Sequence, residues 1–395
     1  MFQKLEGRSA GDQLVDALTR HLNIVLGGRG RALRADRQTG EPGDDVSIVV
    51  AADGAGEGYP VSDFQPAFTG VATPISGNSS VDRQGAVPVS ILDRWGTGVA
   101  ETVPDGFTVL AVVTAYNESD IIVGTIRRLL DQGVRVHLVD NWSKDGSLDL
   151  VEQSFGSDEV AIERFPAGGP SAHFELRSLL ARVDEIAAGA STSWVIHHDA
   201  DEIRESPWLG QNLRAGLYKV DRAGFTCVDH TVLDFRPVGD EITGADPVEA
   251  LRSFEWGQRP GHFVQVKARQ RQPRGVDLAR AGGHDVTFPG RRVFPYKFLL
   301  RHYPIRSQEH GERKVFADRQ PRWSPAERAS GWHVQYDRYR PGSSFLWDRS
   351  TLLDWDAEDF HRRWLVQRVS GVGIPREADR TAPSTRARPW WRRWR

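Results

Sequence analysis

The chain has 395 residues, a hydrophobic content of 39% and a formal net charge of −2 at pH 7. This length allows two or three domains, and the apolar content is sufficient for a sizeable core. A net charge so close to zero gives no polyelectrolyte character, so the composition argues against nucleic acid as a partner.

The single cysteine, Cys227, excludes an intramolecular disulfide and a cysteine-based zinc site. No apolar run approaches the length of a membrane span, and the first residues do not resemble a secretory signal. These features together lead us to expect a cytoplasmic protein.

Residues 1–106 have little hydrophobic periodicity. Apart from a helix expected over 12–26 and a short strand over 46–51, glycine, proline, serine and aspartate recur throughout this segment. Such a composition favours a poorly ordered leader or linker, with room for a small subdomain.

From residue 107 onward, apolar strand-like runs alternate with amphipathic helical segments. Residues 108–115 are a nearly unbroken apolar and β-branched run, as expected of a central parallel strand. Further strands are predicted over 134–139, from 160, and at 194–196. The alternation and the short connections predict an α/β fold with a doubly wound, mostly parallel sheet and helices on both faces.

Polar clusters follow three of these predicted strands. Tyr116 to Glu118 follow the first strand, Asp140 and Asn141 the second, and Asp199 to Glu202 the fourth. Open α/β sheets bind ligands at the carboxyl ends of their strands, so we expect the three clusters to line one crevice. A crevice of this kind is typical of a nucleotide site.

Asp199 and Asp201 are separated by one residue. On a strand their side chains would share one face, and two neighbouring carboxylates suit a hard cation such as Mg²⁺ or Mn²⁺. Solvated loop carboxylates are the alternative explanation for this pair taken by itself.

Three motifs in this order resemble the successive signatures of family 2 glycosyltransferases of the GT-A fold. They are Val113-Thr114-Ala115-Tyr116-Asn117-Glu118, Leu138-Val139-Asp140-Asn141-Trp142-Ser143-Lys144-Asp145-Gly146-Ser147 and His198-Asp199-Ala200-Asp201-Glu202. The resemblance covers about 107–240 and extends to about 340 through the segments 282–284 and 300–307. It implies a GT-A-like fold and inverting transfer of a sugar from a nucleoside diphosphate, an activity of the hexosyltransferase type.

The resemblance also implies roles for single residues. Nucleotide-sugar binding is assigned to Tyr116, Glu118, Asp140 and Asp199. Asp201 would bind the cation, Mn²⁺ or Mg²⁺, and His302 is predicted as a further metal ligand. A UDP-type donor is expected, although Asn141-Trp142 departs from the common Asp-Gly and leaves the base open.

Residues beyond the donor half are expected to supply the catalytic base and contacts to the diphosphate. The base must be deprotonated near neutral pH. Asp285 is the first candidate, because flanking glycines permit a tight turn close to the substrate, and His284 would tune its charge or bind the acceptor. Glu255 and Asp234 are alternatives. The candidates for the diphosphate are Arg301, Arg306 and Lys314.

The C-terminal segment is predicted to contain a helix over 350–369 and a basic, aromatic tail. Six arginines, three tryptophans and no acid occur from residue 380 onward. Interleaved tryptophan and arginine suit an anionic membrane surface, which would place the protein at the inner face of the membrane. A disordered soluble tail is the alternative.

The chain is thus divided into four parts: a leader or linker over 1–106, a nucleotide-sugar-binding half over 107–240, an acceptor and catalytic half over 241–340, and a helix and tail over 341–395.

We expect a metal-dependent glycosyltransferase acting on a glycan, a lipid-linked or a small-molecule acceptor. One alternative is a nucleotidyltransferase, although residues 114–118 lack its glycine-rich basic loop. The other is a non-catalytic nucleotide- or carbohydrate-binding module.

Overall fold

The computed structural model of the protein describes residues 102–208, 210–239, 246–257, 262 and 264–357, together with two short N-terminal strands. These strands, β1 (Leu33–Arg37) and β2 (Val46–Val50), pair antiparallel. The strand predicted over 46–51 is therefore present as β2. The helix predicted over 12–26 and the rest of the predicted leader up to residue 101 lie outside the described residues.

Four parallel strands form the part of the sheet that the apolar runs predict. They are β3 (Val109–Ala115), β4 (Arg135–Asp140), β5 (Val160–Arg164) and β6 (Trp194–Asp199), in the spatial order β5-β4-β3-β6. The connections contain the helices α1 (Ile122–Asp131), α2 (Ser147–Ser154) and α3 (Leu176–Gly189). Parallel neighbours require such crossovers, so the alternation of elements dictates this arrangement.

The chain then reverses and extends the sheet with strands of both directions. These elements are β7 (Glu202–Glu205), α4 (Leu213–Arg222), β8 (Cys227–Phe235), α5 (Pro247–Ala250), β9 (Ser253–Trp256), β10 (Ala268–Gln270) and β11 (Val293–His302). β11 pairs parallel with β8 and antiparallel with β7. The four longest ladders of the sheet are parallel, so the α/β sheet is mixed but mostly parallel.

Side chains of β3 alternate between two hydrophobic clusters, one on each face of the sheet. Val109, Ala111 and Val113 pack in the cluster with α1, α2 and α4. Leu110 and Val112 pack in the other cluster with α3. Helices therefore cover both faces, which explains why the strand has no polar alternation.

The two halves predicted over 107–240 and 241–340 contribute to the same sheet. β10 lies between β6 and β8 and pairs antiparallel with both of them. After β11, a short helix α6 (Gln308–Glu312) continues into a π-helical segment (Arg313–Arg319), a 3₁₀ turn (Gln320–Arg322) and helix α7 (Pro325–Ala329). This post-sheet segment returns towards the loops of β3 and β4.

The helix predicted over 350–369 does not begin at residue 350. Arg349–Thr351 is a 3₁₀ turn, and β12 (Leu353–Asp354) pairs with β9 at the sheet edge. Trp355 packs edge-on against Phe254, so the apolar side chains here cover the sheet instead of forming a helical stripe. Residues 358–395, including the basic tail, lie outside the described residues. Within the described helices, none combines the length and apolarity that crossing a membrane requires.

Candidate functional site

The loops after β3 and β4 are held together by backbone hydrogen bonds to short polar side chains. Asn117 N–H donates to Ser143 Oγ over 3.0 Å, and Glu118 N–H donates to Ser147 Oγ over 2.9 Å. Asn117 has a left-handed backbone (φ 56°), which asparagine tolerates better than most residues. Its Oδ1 accepts the N–H of Lys144 over 2.8 Å. The first two predicted clusters therefore lie side by side, and we call the region that they share with the Asp199–Glu202 cluster the crevice.

Tyr116, Asp140 and Asn141 line the end of this crevice near β4. Asp140 is buried, which raises the pKa of its carboxyl, although Ser143 donates to it over 3.0 Å. The Arg322 guanidinium lies 3.8 Å from the centre of the Tyr116 ring, and its Nη2 donates to Asn141 Oδ1 over 2.9 Å. Tyr116 and Asp140 thus lie at the ends of the neighbouring strands β3 and β4, and an arginine from the 3₁₀ turn lies beside them.

Asp199 lies at the end of β6 with 41% of its side chain exposed. Thr114 Oγ1 donates to its Oδ1 over 3.2 Å, and Lys267 Nζ to its Oδ2 over 2.6 Å. Desolvation by the neighbouring protein groups disfavours its ionisation, but Lys267 outweighs this effect and holds the pKa of Asp199 below its usual value. Asp199 is therefore a carboxylate that faces the crevice.

Lys267 also binds Glu202, the last acid of the cluster. Its Nζ donates to Glu202 Oε1 over 2.9 Å, and Arg204 Nη2 donates to Oε2 over 2.7 Å. Burial opposes the charge on Glu202, yet both cations keep its pKa well below the usual range. Glu202 consequently serves as the buried anchor of Lys267.

Asp201 lies beside His302, the predicted further metal ligand. His302 Nε2 is 3.8 Å from Asp201 Oδ1, and His302 Nδ1 is 2.7 Å from Asp234 Oδ1. A carboxylate on Nδ1 orients an imidazole so that Nε2 keeps its lone pair for a cation. Asp201 Oδ1 and His302 Nε2 are therefore donor atoms that fit a divalent cation. A second set of possible ligand atoms, from Asp234, His262 and His302, lies within 4.8 Å of one another and does not include Asp201.

Glu118 lies in a buried network of ion pairs. Arg306 Nη2 is 2.6 Å and Lys314 Nζ is 2.9 Å from its carboxylate oxygens. Burial opposes its charge, but Lys314 and Arg306 hold the pKa of Glu118 well below its usual value. Lys314 Nζ also binds Asp201 Oδ2 over 2.8 Å, so one ammonium links the β3 loop to the acidic cluster.

The three cations considered for the diphosphate are therefore in different positions. Arg306 and Lys314 belong to the network around Glu118 and Asp201. Arg301 instead pairs with Glu205 and packs over the Trp355 ring at 5.5 Å. The first two lie close to the acidic cluster, whereas the described contacts of Arg301 are made elsewhere.

His284 and Asp285 point to different partners. His284 is half-buried, with Nδ1 2.9 Å from the Gln265 amide, and burial together with Lys267 lowers its pKa to about 4, with Asp199 acting in the opposite direction. Asp285 Oδ1 accepts Arg291 Nη2 over 2.7 Å. The charge of Asp199 therefore acts on His284, whereas Asp285 is paired with Arg291.

Asp234 and Glu255, the alternative candidates for the base, both form ion pairs with Arg236. Arg236 Nη2 donates to Asp234 Oδ2 over 2.8 Å, and Arg236 Nε donates to Glu255 Oε1 over 2.9 Å. Asp234 is also the partner of His302 Nδ1. These ion pairs suit a role in orienting neighbours.

Lys267 and Arg322 were missed by sequence reasoning. Residues 264–269 alternate apolar and polar side chains, a pattern typical of a strand with one face in water. In the structure Gln265, Lys267 and Arg269 are nevertheless buried. Only Arg269 of these three lies in β10, so the alternation did not indicate that Lys267 is buried. The 3₁₀ turn that carries Arg322 offered none.

Residues 110–215 match the family model described as Glycosyl transferase family 2. No curated protein matches the chain. Among solved structures, the chain is similar to the crystal structure of S. aureus TarS 1–349 in complex with UDP, with 16% sequence identity and a TM-score of 0.25. That similarity covers 42% of this chain and 47% of the TarS chain, so it spans about half of the latter.

The matched segment runs from β3 to the start of α4 and contains most of the predicted site residues. Tyr116, Glu118, Asp140, Asp199 and Asp201 all lie inside it, whereas His284 and His302 follow it. The ordered motifs, the α/β sheet and the family match agree on the same stretch. Over residues 110–215, the chain is therefore similar to family 2 glycosyltransferases, and its α/β sheet is consistent with the GT-A fold.

Proposed function

We propose that the protein is a divalent-cation-dependent, inverting glycosyltransferase of the hexosyltransferase type. It would move a sugar from a nucleoside diphosphate, a UDP-type donor in our expectation, to an acceptor hydroxyl. The observation that supports the cation most directly is the 3.8 Å separation between Asp201 Oδ1 and His302 Nε2, with Asp234 on the opposite ring nitrogen.

Asp201 and His302 would hold Mn²⁺ or Mg²⁺, which when bound neutralises the charge that develops on the leaving diphosphate. Asp234 would keep the imidazole in the tautomer that leaves Nε2 available. Lys314, 2.8 Å from Asp201 Oδ2, adds positive charge beside the same carboxylate. The cation ligands and the ammonium would therefore act on the diphosphate together.

Tyr116, Asp140 and Asp199 would bind the nucleoside. The Tyr116 ring offers a stacking surface for a base, and the two carboxylates offer acceptors for ribose hydroxyls. Asp199 is suited to this role, because its side chain is 41% exposed while Lys267 keeps it ionised.

Inversion in a single displacement requires a base that takes the proton of the acceptor hydroxyl. His284 and Asp285 remain our candidates, and their different partners make the choice testable. The acceptor, the membrane contact of the C-terminal tail and the cytoplasmic location stay predictions, and the tail lies outside the described residues.

The experiment that tests this function compares wild type with Asp201→Asn. We expect UDP to raise the melting temperature of wild type in Mn²⁺ far more than in EDTA, because a bound ligand stabilises only the folded state. Asp201→Asn preserves shape but removes a cation ligand, so it should lose the Mn²⁺-dependent shift and sugar transfer from a nucleotide-sugar donor.

The matched control is Asp158→Asn, which changes an exposed carboxylate outside the crevice. It should behave as wild type in both assays. Full transfer by Asp201→Asn, or by wild type in EDTA, contradicts a cation-dependent mechanism.

A further inference from the structure

The face of Tyr116 is covered by a planar cationic group from the post-sheet segment. The Arg322 guanidinium centre lies 3.8 Å from the ring centroid, while Tyr116 itself is only 8% exposed. The guanidinium carbon therefore lies over the ring at the distance at which an atom of a stacked nucleobase would lie. Arg322 therefore occupies the surface that the proposed nucleoside site offers to a base.

The same guanidinium donates a hydrogen bond to an acceptor whose orientation is fixed. Asn141 Nδ2 donates to the Phe165 carbonyl over 2.8 Å, so its Oδ1 is turned to the crevice and accepts Arg322 Nη2 over 2.9 Å. A flipped amide would place two acceptors, Oδ1 and the Phe165 carbonyl, against each other. Asn141 thus presents an acceptor to any group that lies on Tyr116.

The backbone of Arg322 is anchored outside the crevice. Phe174 N–H donates to the Arg322 carbonyl, and Phe174 forms a β-bridge with Trp323. Trp323 in turn stacks on His333 with an angle of 12° between the rings. Only the long side chain of Arg322 reaches Tyr116, so it can leave the ring by rotating its side-chain bonds while the backbone stays in place.

We propose that Arg322 is a stand-in for the nucleobase, which fills the base subsite until the donor arrives and is then displaced. The incoming base stacks on Tyr116 and donates a ring N–H to Asn141 Oδ1, as the guanidinium does. Uracil carries such a donor at N3, so Asn141 selects the base through that atom. This inference rests on the proposed function, because it assigns the base subsite of the same nucleotide site.

Displacement has an energetic consequence that distinguishes this role from a clamp. A donor must first break the contact of the guanidinium with the Tyr116 ring and its hydrogen bond to Asn141, so removal of Arg322 strengthens nucleotide binding. If Arg322 instead closed over a bound base, its removal would weaken binding. The sign of the change in affinity therefore decides between the two roles.

The first measurement is the dissociation constant of UDP by calorimetry in Mn²⁺ for wild type, Arg322→Ala and Arg322→Lys. We expect both variants to bind UDP about threefold or more tightly than wild type, because each lacks the planar group. Arg322→Lys keeps the positive charge, so it separates the effect of losing the guanidinium over Tyr116 from the effect of losing electrostatic attraction to the diphosphate. Weaker or unchanged binding in Arg322→Lys overturns the proposal.

The matched control is Arg177→Ala. Arg177 is an exposed arginine that stacks over the Trp332 ring at 5.2 Å, outside the crevice. Its removal deletes an arginine–aromatic contact of the same kind without opening Tyr116. It should leave the affinity for UDP unchanged, and tighter binding in this variant would show that the Arg322 effect is not specific.

The second measurement compares UDP with N3-methyl-UDP, which lacks the donor at N3. Wild type should bind UDP at least about tenfold more tightly, because the methyl group faces an acceptor that then has no partner. Asn141→Ala should lose most of this preference. If wild type binds the two ligands equally well, Asn141 does not select the base through N3. This outcome needs no variant protein.

Failure of this inference is distinguishable from failure of the proposed function. If wild type binds UDP in Mn²⁺ but shows neither the Arg322 effect nor the N3 preference, the nucleotide site stands and the base subsite lies elsewhere. If wild type binds no nucleoside diphosphate, the proposed function falls and this inference with it.

Discussion

At the scale of single residues, the choice of the catalytic base follows from what each candidate contacts. His284 lies in the electrostatic neighbourhood of Asp199, and its lowered pKa of about 4 keeps the imidazole neutral at pH 7. Asp285 is held by Arg291. We expect His284→Ala to reduce turnover on the order of a hundredfold or more, and Asp285→Asn to reduce it much less.

Steady-state transfer rates measured together with UDP affinity would check this prediction. A variant that lacks only the base should still bind donor and cation, so its dissociation constant for UDP should remain near that of wild type. A larger loss of turnover in Asp285→Asn than in His284→Ala would assign the base to Asp285, and normal turnover in both would place it elsewhere.

The acids of the crevice were predictable because each follows an apolar run that can only be a buried strand. Asp140 and Asp199 end β4 and β6, and Asp201 follows two residues later. Their cationic partners were not predictable in the same way. Lys267 reaches Asp199 from 68 residues away, and a pairing at that separation leaves no local pattern in the sequence.

At the scale of elements, the π-helical segment Arg313–Arg319 stabilises the site through Lys314. Its ammonium is the shared partner of Glu118 and Asp201, and its side chain is only 4% exposed. Removing one member of a buried ion pair leaves an uncompensated charge, which costs about 3 kcal/mol or more. We therefore expect Lys314→Met to lower the free energy of unfolding by about this amount.

Urea denaturation of Lys314→Met, with exposed Lys144→Met as the control, would measure the loss. The double variant Glu118→Gln with Lys314→Met should recover part of the stability, because it removes one of the two stranded negative charges. A Lys314→Met protein as stable as the Lys144 control would contradict a structural role for this element.

The alternation of strands and helices from β3 to β6 was predictable, because each element buries its apolar side chains in a periodic pattern. The edge after residue 349 was not. Leu352 and Leu353 were predicted to begin a helical stripe, yet Leu353 packs at the sheet edge in a strand of only two residues. Such a short strand depends on its neighbour β9 and not on its own sequence.

At the scale of the whole molecule, histidines with lowered pKa make the free energy of unfolding depend on pH. Burial lowers the pKa of His197 and His284 to about 4 and that of His198 and His230 to about 3. In the unfolded chain these groups titrate near pH 6.5, so between about pH 3 and 6.5 the unfolded state binds more protons. The free energy of unfolding should therefore fall as the pH drops through this window.

Urea midpoints measured between pH 4.5 and pH 7.5 would check the direction of this dependence. This pH range extends from about two units below to about one unit above the usual histidine pKa. His230→Gln removes one buried imidazole and should flatten the curve. Below about pH 4.5 the carboxyl groups with lowered pKa, such as Glu118 and Asp234, add to the loss of stability with the same sign. Stability that rises on acidification would contradict the assignment of neutral, buried histidines.

The extent of the described hydrophobic core predicts which residues can be removed without unfolding the protein. The hydrophobic clusters of the described residues extend from Val103 to Trp355. We expect a shortened protein over residues 101–377 to retain one cooperative thermal transition close to that of the full chain. Loss of cooperativity on trimming would show that the removed segments contribute to the core.

The ion pairs that complete the crevice join early and late parts of the chain. Glu118, Asp199 and Asp201 lie within the matched segment, whereas Lys267 and Lys314 come 50 or more residues after its end at residue 215. During translation, the acids emerge from the ribosome before the lysines that neutralise them have been made. The donor half can therefore reach its final charge balance only after residue 314 has emerged, and a chimera that transplants residues 110–215 must carry both lysines with it.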